Sequence, residues 1–143
     1  MLSVIHSVNY SMDVEEYGPK YWSTRHENDI ESIHDSSDGL TIVIDTFDKN
    51  GEEKKLKVFF HLSLAYRYLD ETDLVYYWES GSFYSHYHVY KINSGGWSNG
   101  EATQKGVMEW SRGCNRAEWF IATTNGCINV LSEQEPIIEW LSV

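Results

Sequence analysis

Residues 40–68, LTIVIDTFDKNGEEKKLKVFFHLSLAYRY, decide the fold class. Leu40–Phe47 is rich in β-branched side chains. Beyond the turn signal DKNGEE, the run Lys54–Tyr68 sets Leu56, Val58, Phe60, Leu62, Leu64 and Tyr66 in alternation with Lys57, Phe59, His61, Ser63, Ala65 and Arg67. A period of two puts one set of side chains on each face of a strand. The Asn50-Gly51 pair tolerates positive φ and favours a tight turn, so the two segments are expected to form an antiparallel hairpin.

Two further hairpins are expected on the same grounds. Asp73–Glu79 (DLVYYWE) and Phe83–Asn93 (FYSHYHVYKIN) are dominated by aromatic and β-branched residues and flank Ser80-Gly81-Ser82. Glu118–Thr124 (EWFIATT) and Cys127–Ser132 (CINVLS) flank Asn125-Gly126. Helix signals are sparser. Pro19 is placed to open a helix reaching His34, with Tyr21, Trp22, Ile30 and Ile33 as its apolar face. Ser98, spaced from Glu101 as in a capping box, is placed to open another toward Trp110, against the cost of Gly100 and Gly106. Pro136 stops the last strand, leaving IIEWL as an apolar tail against the core. The expected class is α+β, mainly antiparallel sheet built from hairpins with one or two helices.

A chain of 143 residues is the size of a single domain and, folded, buries roughly 70% of the surface it exposes unfolded. Six Trp, ten Tyr and five Phe argue against disorder. The opening MLSVIHSVNYSMDVEEYG has no basic segment, apolar run or cleavage site of a signal peptide, and no 18 apolar residues run together; the expected location is the cytoplasm. Cys114 and Cys127 are expected there as reduced thiols. Eleven Lys and Arg against 22 Asp and Glu give a net charge of -11, a field that repels nucleic acid and anionic lipid and attracts basic proteins.

Motifs for chemistry are missing from the chain. His86 and His88, two apart in an expected strand, would share a face as metal ligands do, but His61, Glu79 or Asp45 could complete a site only by folding, and no HExxH, CxxC or EF-hand spacing is present. Two half-buried strand histidines are the expectation, with no metal and no cofactor. No GxSxG elbow marks a nucleophile, and the glycine-rich run 94–100 has no phosphate-loop lysine. Trp78, Tyr84, Tyr87 and Tyr90 could stack on bases, but no cationic groove accompanies them, so they read as core or protein interface. The carboxylate pairs fall in turns and termini, where solvation suits an acidic patch better than acid–base catalysis. Asp70, Glu71 and Asp73 with Glu79, beside Trp78 and Tyr84, are the expected partner-binding residues, and no catalytic residue is expected.

The closing segment Glu118–Leu141, EWFIATTNGCINVLSEQEPIIEWL, resembles the ends of small bacterial proteins that finish with a hairpin and an acidic-Pro-apolar-Trp tail. With its size and charge, the chain resembles immunity proteins of contact-dependent growth inhibition and related polymorphic toxin systems. That resemblance implies a cytoplasmic, non-catalytic protein that binds a cognate toxin C-terminal domain, often a basic nuclease, and occludes its active site or substrate face. It transfers no residue role. The competing expectation is a small ligand-binding protein or enzyme whose pocket is assembled from scattered residues, with His61, His86 or His88 as its polar element.

Overall fold

The first expected hairpin forms from β3 (Gly39–Phe47) and β4 (Glu53–Phe60), paired antiparallel with Leu40 opposite Phe60, Ile42 opposite Val58 and Ile44 opposite Leu56. All six are fully buried. The computed structural model describes residues 11–22, 27–114 and 116–142. Its turn is longer than the two-residue connection suggested by Asn50-Gly51: the Asp48 amide donates to the Glu52 carbonyl at 2.8 Å, and Asp48 Oδ1 accepts from the amides of Asn50 and Glu52. Only Gly51 takes positive φ, at 82°.

The alternating run does not continue as one strand. It breaks at His61-Leu62, and β5 (Ser63–Asp70) crosses to a second sheet. One sheet has the order β2-β3-β4-β9, with β2 spanning Asp29–Ser36 and β9 Ile137–Leu141. The other has the order β1-β6-β7-β8-β5, where β1 is Asp13–Lys20, β6 Tyr87–Ser94, β7 Ala117–Ala122 and β8 Gly126–Ser132. Every strand pairing among the described residues is antiparallel. With the short helices described below, the class is α+β.

Leu40, Ile42, Ile44, Leu56, Val58 and Phe60 pack against Val89, Trp119, Ile121, Ile128 and Val130 to form the core between the sheets. A second cluster, Leu74, Tyr77, Phe83, Tyr90, Ile92, Phe120 and Cys127, covers the opposite face of the five-stranded sheet. That sheet is buried on both faces, which is why β8 is buried along its whole length. Tyr66 and Tyr68 pair with Val130 and Ile128 and so face the inter-sheet side, yet they stay 37% and 50% exposed because edge strand β5 lies beyond the cover of the smaller sheet.

The third expected hairpin forms between β7 and β8, with Ala122 opposite Cys127. Its glycine serves close approach instead of positive φ: a Cβ at Gly126 would lie 2.3 Å from the Tyr68 hydroxyl. Asn28 ties the turn to the other sheet, accepting from the Thr124 amide at 2.8 Å and donating its own amide to Thr124 Oγ1 at 3.1 Å.

Other sequence expectations are also corrected. The helix from Pro19 to His34 is replaced by β1 and β2, with residues 23–26 outside the described residues. Pro19 is accommodated because β1 is an edge strand whose register breaks between Tyr17 and Lys20, so its missing N–H is not needed there. The strand at 73–79 is instead a 3-10 turn, Glu71–Asp73, and α1, Val75–Glu79. Leu74, Tyr77 and Trp78, spaced three and four apart, all join the outer cluster, and β6 takes β1 and β7 as its neighbours. The helix from Ser98 to Trp110 splits into one π-helical turn, Trp97–Glu101, and α2, Glu109–Gly113. Ser98 and Glu101 form no capping box: Ser98 is claimed by Glu118 and Glu101 by Arg67. IIEWL does not merely rest on the core; as β9 it pairs with β4. No helix among the described residues is long and apolar enough to cross a membrane.

Candidate functional site

The acidic and aromatic residues singled out in the sequence occupy one continuous segment leaving edge strand β5. Asp70 ends the strand and caps the 3-10 turn, its Oδ1 accepting from the Thr72 hydroxyl at 2.7 Å and the Thr72 amide at 2.9 Å. These bonds hold the Asp70 carboxyl below the ordinary aspartate range. The Glu71 amide donates to the Asn125 carbonyl at 2.7 Å, which fixes the turn to the β7–β8 loop.

From this anchored turn α1 lays Leu74 and Tyr77 onto the sheet. Phe83, in the return segment, packs among Tyr77, Trp78, Tyr90 and Phe120, with ring centroids between 4.9 and 5.9 Å. Trp78 is half-buried, its indole N–H donating to the Glu71 carbonyl at 2.7 Å. Tyr84 is 65% exposed and donates its hydroxyl to the Trp78 carbonyl at 3.1 Å. Glu71, Trp78 and Tyr84 thus line one shallow depression of about 370 Å³, with Tyr21, Phe83, Tyr87 and residues 122–124. Asp70, Asp73 and Glu79 are exposed on the same segment but outside the depression. Between Tyr68 and Tyr90 the chain holds no Lys or Arg.

α1 is tied down through Tyr77 by residues that the sequence reading did not place in the site. Glu118, only 1% exposed on β7, accepts from the amides of Trp97 and Ser98, the Ser98 hydroxyl and the Asn129 side chain, at 2.5 to 3.1 Å. Asn129 also donates to the Tyr77 hydroxyl at 3.0 Å, and that hydroxyl donates to Glu101, which is paired with Arg67 at 2.5 Å. The network joins α1, the π-helical turn and three strands. A buried carboxylate is tolerated only when its lone pairs are filled in this way. Burial keeps the Tyr77 hydroxyl protonated far above neutral pH. Ser98 and Glu101 read in the sequence as a capping box and Glu118 stands out as a charge inside an otherwise apolar strand run, but nothing in the sequence joins them.

The histidines do not assemble as a pair. β6 starts at Tyr87, so the alternation expected to align them is lost: His86 is exposed with φ 64°, and His88 is fully buried. Both His88 ring nitrogens are engaged, one with the Ala122 carbonyl at 2.7 Å and the other with Thr46 Oγ1 at 2.8 Å. The carbonyl can only accept, so Nδ1 carries the proton and Nε2 accepts from Thr46. His61 is exposed at the crossing between the sheets. Among the described residues no group of three or more His, Cys, Asp or Glu converges as metal ligands do. Tyr90 is core, not part of an exposed aromatic face. Cys114 is exposed; Cys127 is buried, and burial pushes its thiol up to about 12.

Comparison with protein-family models, with curated proteins and with solved structures returned no match.

Proposed function

We propose that this chain is a non-catalytic binding module for a basic protein, acting as an immunity protein that neutralises a cognate bacterial toxin domain of the basic nuclease type. The observation that carries the reading is the 70–84 surface: Glu71, Trp78 and Tyr84 line one depression, and Asp70, Asp73 and Glu79 are exposed on the same segment, in a stretch with no cation. Its aromatic rings are held by backbone carbonyls and backed by the Glu118 network, so little side-chain freedom would be lost on docking. Tyr and Trp anchors beside charged residues are the composition of an energetic interface; Glu71, in the depression, would occupy a position on the toxin meant for a phosphate, while the exposed Asp73 and Glu79 would steer the encounter. The net charge of -11 would speed the encounter. Contact-dependent growth inhibition supplies the biological setting implied by the C-terminal resemblance, with the cytoplasm as the place of action.

Growth rescue tests this reading. In cells expressing the toxin encoded next to this chain, the wild-type protein is expected to restore growth, and a Trp78→Ala, Asp73→Lys variant that still folds is expected to fail. Rescue that is equal with both would place the contact elsewhere.

A further inference from the structure

At the far end of the five-stranded sheet, between the π-helical turn and α2, the surface has the opposite character. A cavity of about 420 Å³ is lined there by Asn93, Asn99, Thr103 and Ser111 together with Arg112 and Arg116. A second hollow of about 280 Å³, reaching Lys91 and Asn93, shares Arg116 as a wall. Two of the chain's four arginines therefore meet at one opening of a strongly acidic protein.

Arg116 is built into this place. Its side chain is only 9% exposed, its guanidinium lies 4.4 Å from the Trp110 ring centroid, and Nη2 pairs with Glu133 at 3.2 Å. Nε and Nη1 are buried and have no hydrogen-bond partner among the described residues. A buried guanidinium with idle N–H groups is costly, and such donors suit an acceptor oxygen brought in from outside. Glu133 engages only Nη2, and the other acidic side chains nearby are occupied elsewhere: Glu118 is saturated by its four donors, Glu109 accepts from the Gly106 amide and Glu101 is paired with Arg67. Arg112, exposed and tethered to the Val107 carbonyl at 2.9 Å, adds a second positive charge at the rim.

We propose that this cavity binds a small ligand through an oxyanion, a phosphate or a carboxylate, with Arg116 as the buried donor and Arg112 as the cation at its mouth. The site is separate from the 70–84 surface and does not rest on the immunity reading.

The test is NMR of the full chain, following the Arg116 Nε–H resonance as inorganic phosphate, acetate or chloride is added at matched ionic strength. A saturable shift at millimolar phosphate or acetate, absent with chloride, is expected; a response to phosphate alone assigns a phosphate ligand and a response to acetate alone a carboxylate. Arg116→Lys keeps the charge but loses the fork and should weaken binding by about tenfold or more, and Arg112→Gln, at an exposed position, should weaken it less. No saturable response to either anion, or unchanged binding in both variants, overturns the proposal.

Discussion

The indole N–H of Trp78 donates to the Glu71 carbonyl at 2.7 Å, so the main aromatic ring of the 70–84 surface is fixed by the backbone of one of the acidic residues beside it. The Tyr84 hydroxyl returns to the Trp78 carbonyl at 3.1 Å and closes the arrangement. A partner meeting this surface meets rings already in place.

Trp78→Ala should therefore weaken the complex by roughly 30-fold or more, the effect of truncating an aromatic anchor of about 2 kcal/mol. Tyr84→Phe, which keeps the ring and loses only the tether, should weaken it much less. Calorimetric titration of the purified partner checks both, with circular dichroism to establish that each variant is folded.

Asp73 and Glu79 are exposed and outside the depression, so their contribution should be to encounter and not to the docked contact. Charge reversal at both is expected to slow association by about tenfold at low salt, leaving dissociation nearly unchanged, with the difference shrinking as salt rises. Stopped-flow mixing at several ionic strengths measures this.

Glu118 supports the site without being part of it. Glu118→Gln would set an amide N–H₂ against donors that need an acceptor, and should destabilise the fold by about 1–3 kcal/mol in urea denaturation. Glu118→Leu, which leaves the Trp97 and Ser98 amides and the Asn129 side chain without their acceptor, should cost more.

His88 makes stability depend on pH. Burial pushes its folded pKa down to about 4 from 6.5, so the unfolded chain binds the proton more tightly than the folded one. The neutral ring's contribution is complete above about pH 6.5 and is lost as pH falls toward 4, a change of up to about 3 kcal/mol. Carboxylates such as Asp70, whose folded pKa is lowered, lose their contribution at lower pH still. Urea denaturation at pH 7 and pH 4.5 should show the drop, and His88→Asn, though less stable throughout, should show a smaller one.

The parts of this fold that were legible in the sequence are those fixed by neighbours. β4 carries period-two apolar residues and β3, β7 and β8 are β-favouring runs, each hairpin joined by a turn around Asn-Gly, and both pairs form. β1 and β2 were not legible, because each is an edge strand with a largely solvated face and its apolar residues are too sparse to set a period. Val75, Tyr76, Tyr77 and Trp78 favour strands by type, but the five-stranded sheet has no position for them, and Leu74, Tyr77 and Trp78 meet it on one helical face instead. The acidic residues at 70–79 were readable as a cluster because they are close in the chain. The Arg67, Glu101, Glu118 and Asn129 network was not, since it joins residues as far as 62 positions apart and exists only once the sheet has formed.

The most direct measurement of the central claim is co-purification of the tagged chain with the product of the gene immediately upstream. The account predicts a stable complex with one basic protein, lost in Trp78→Ala and weakened by salt. Failure of the wild-type chain to bind that product at low salt, with both proteins folded, would contradict it.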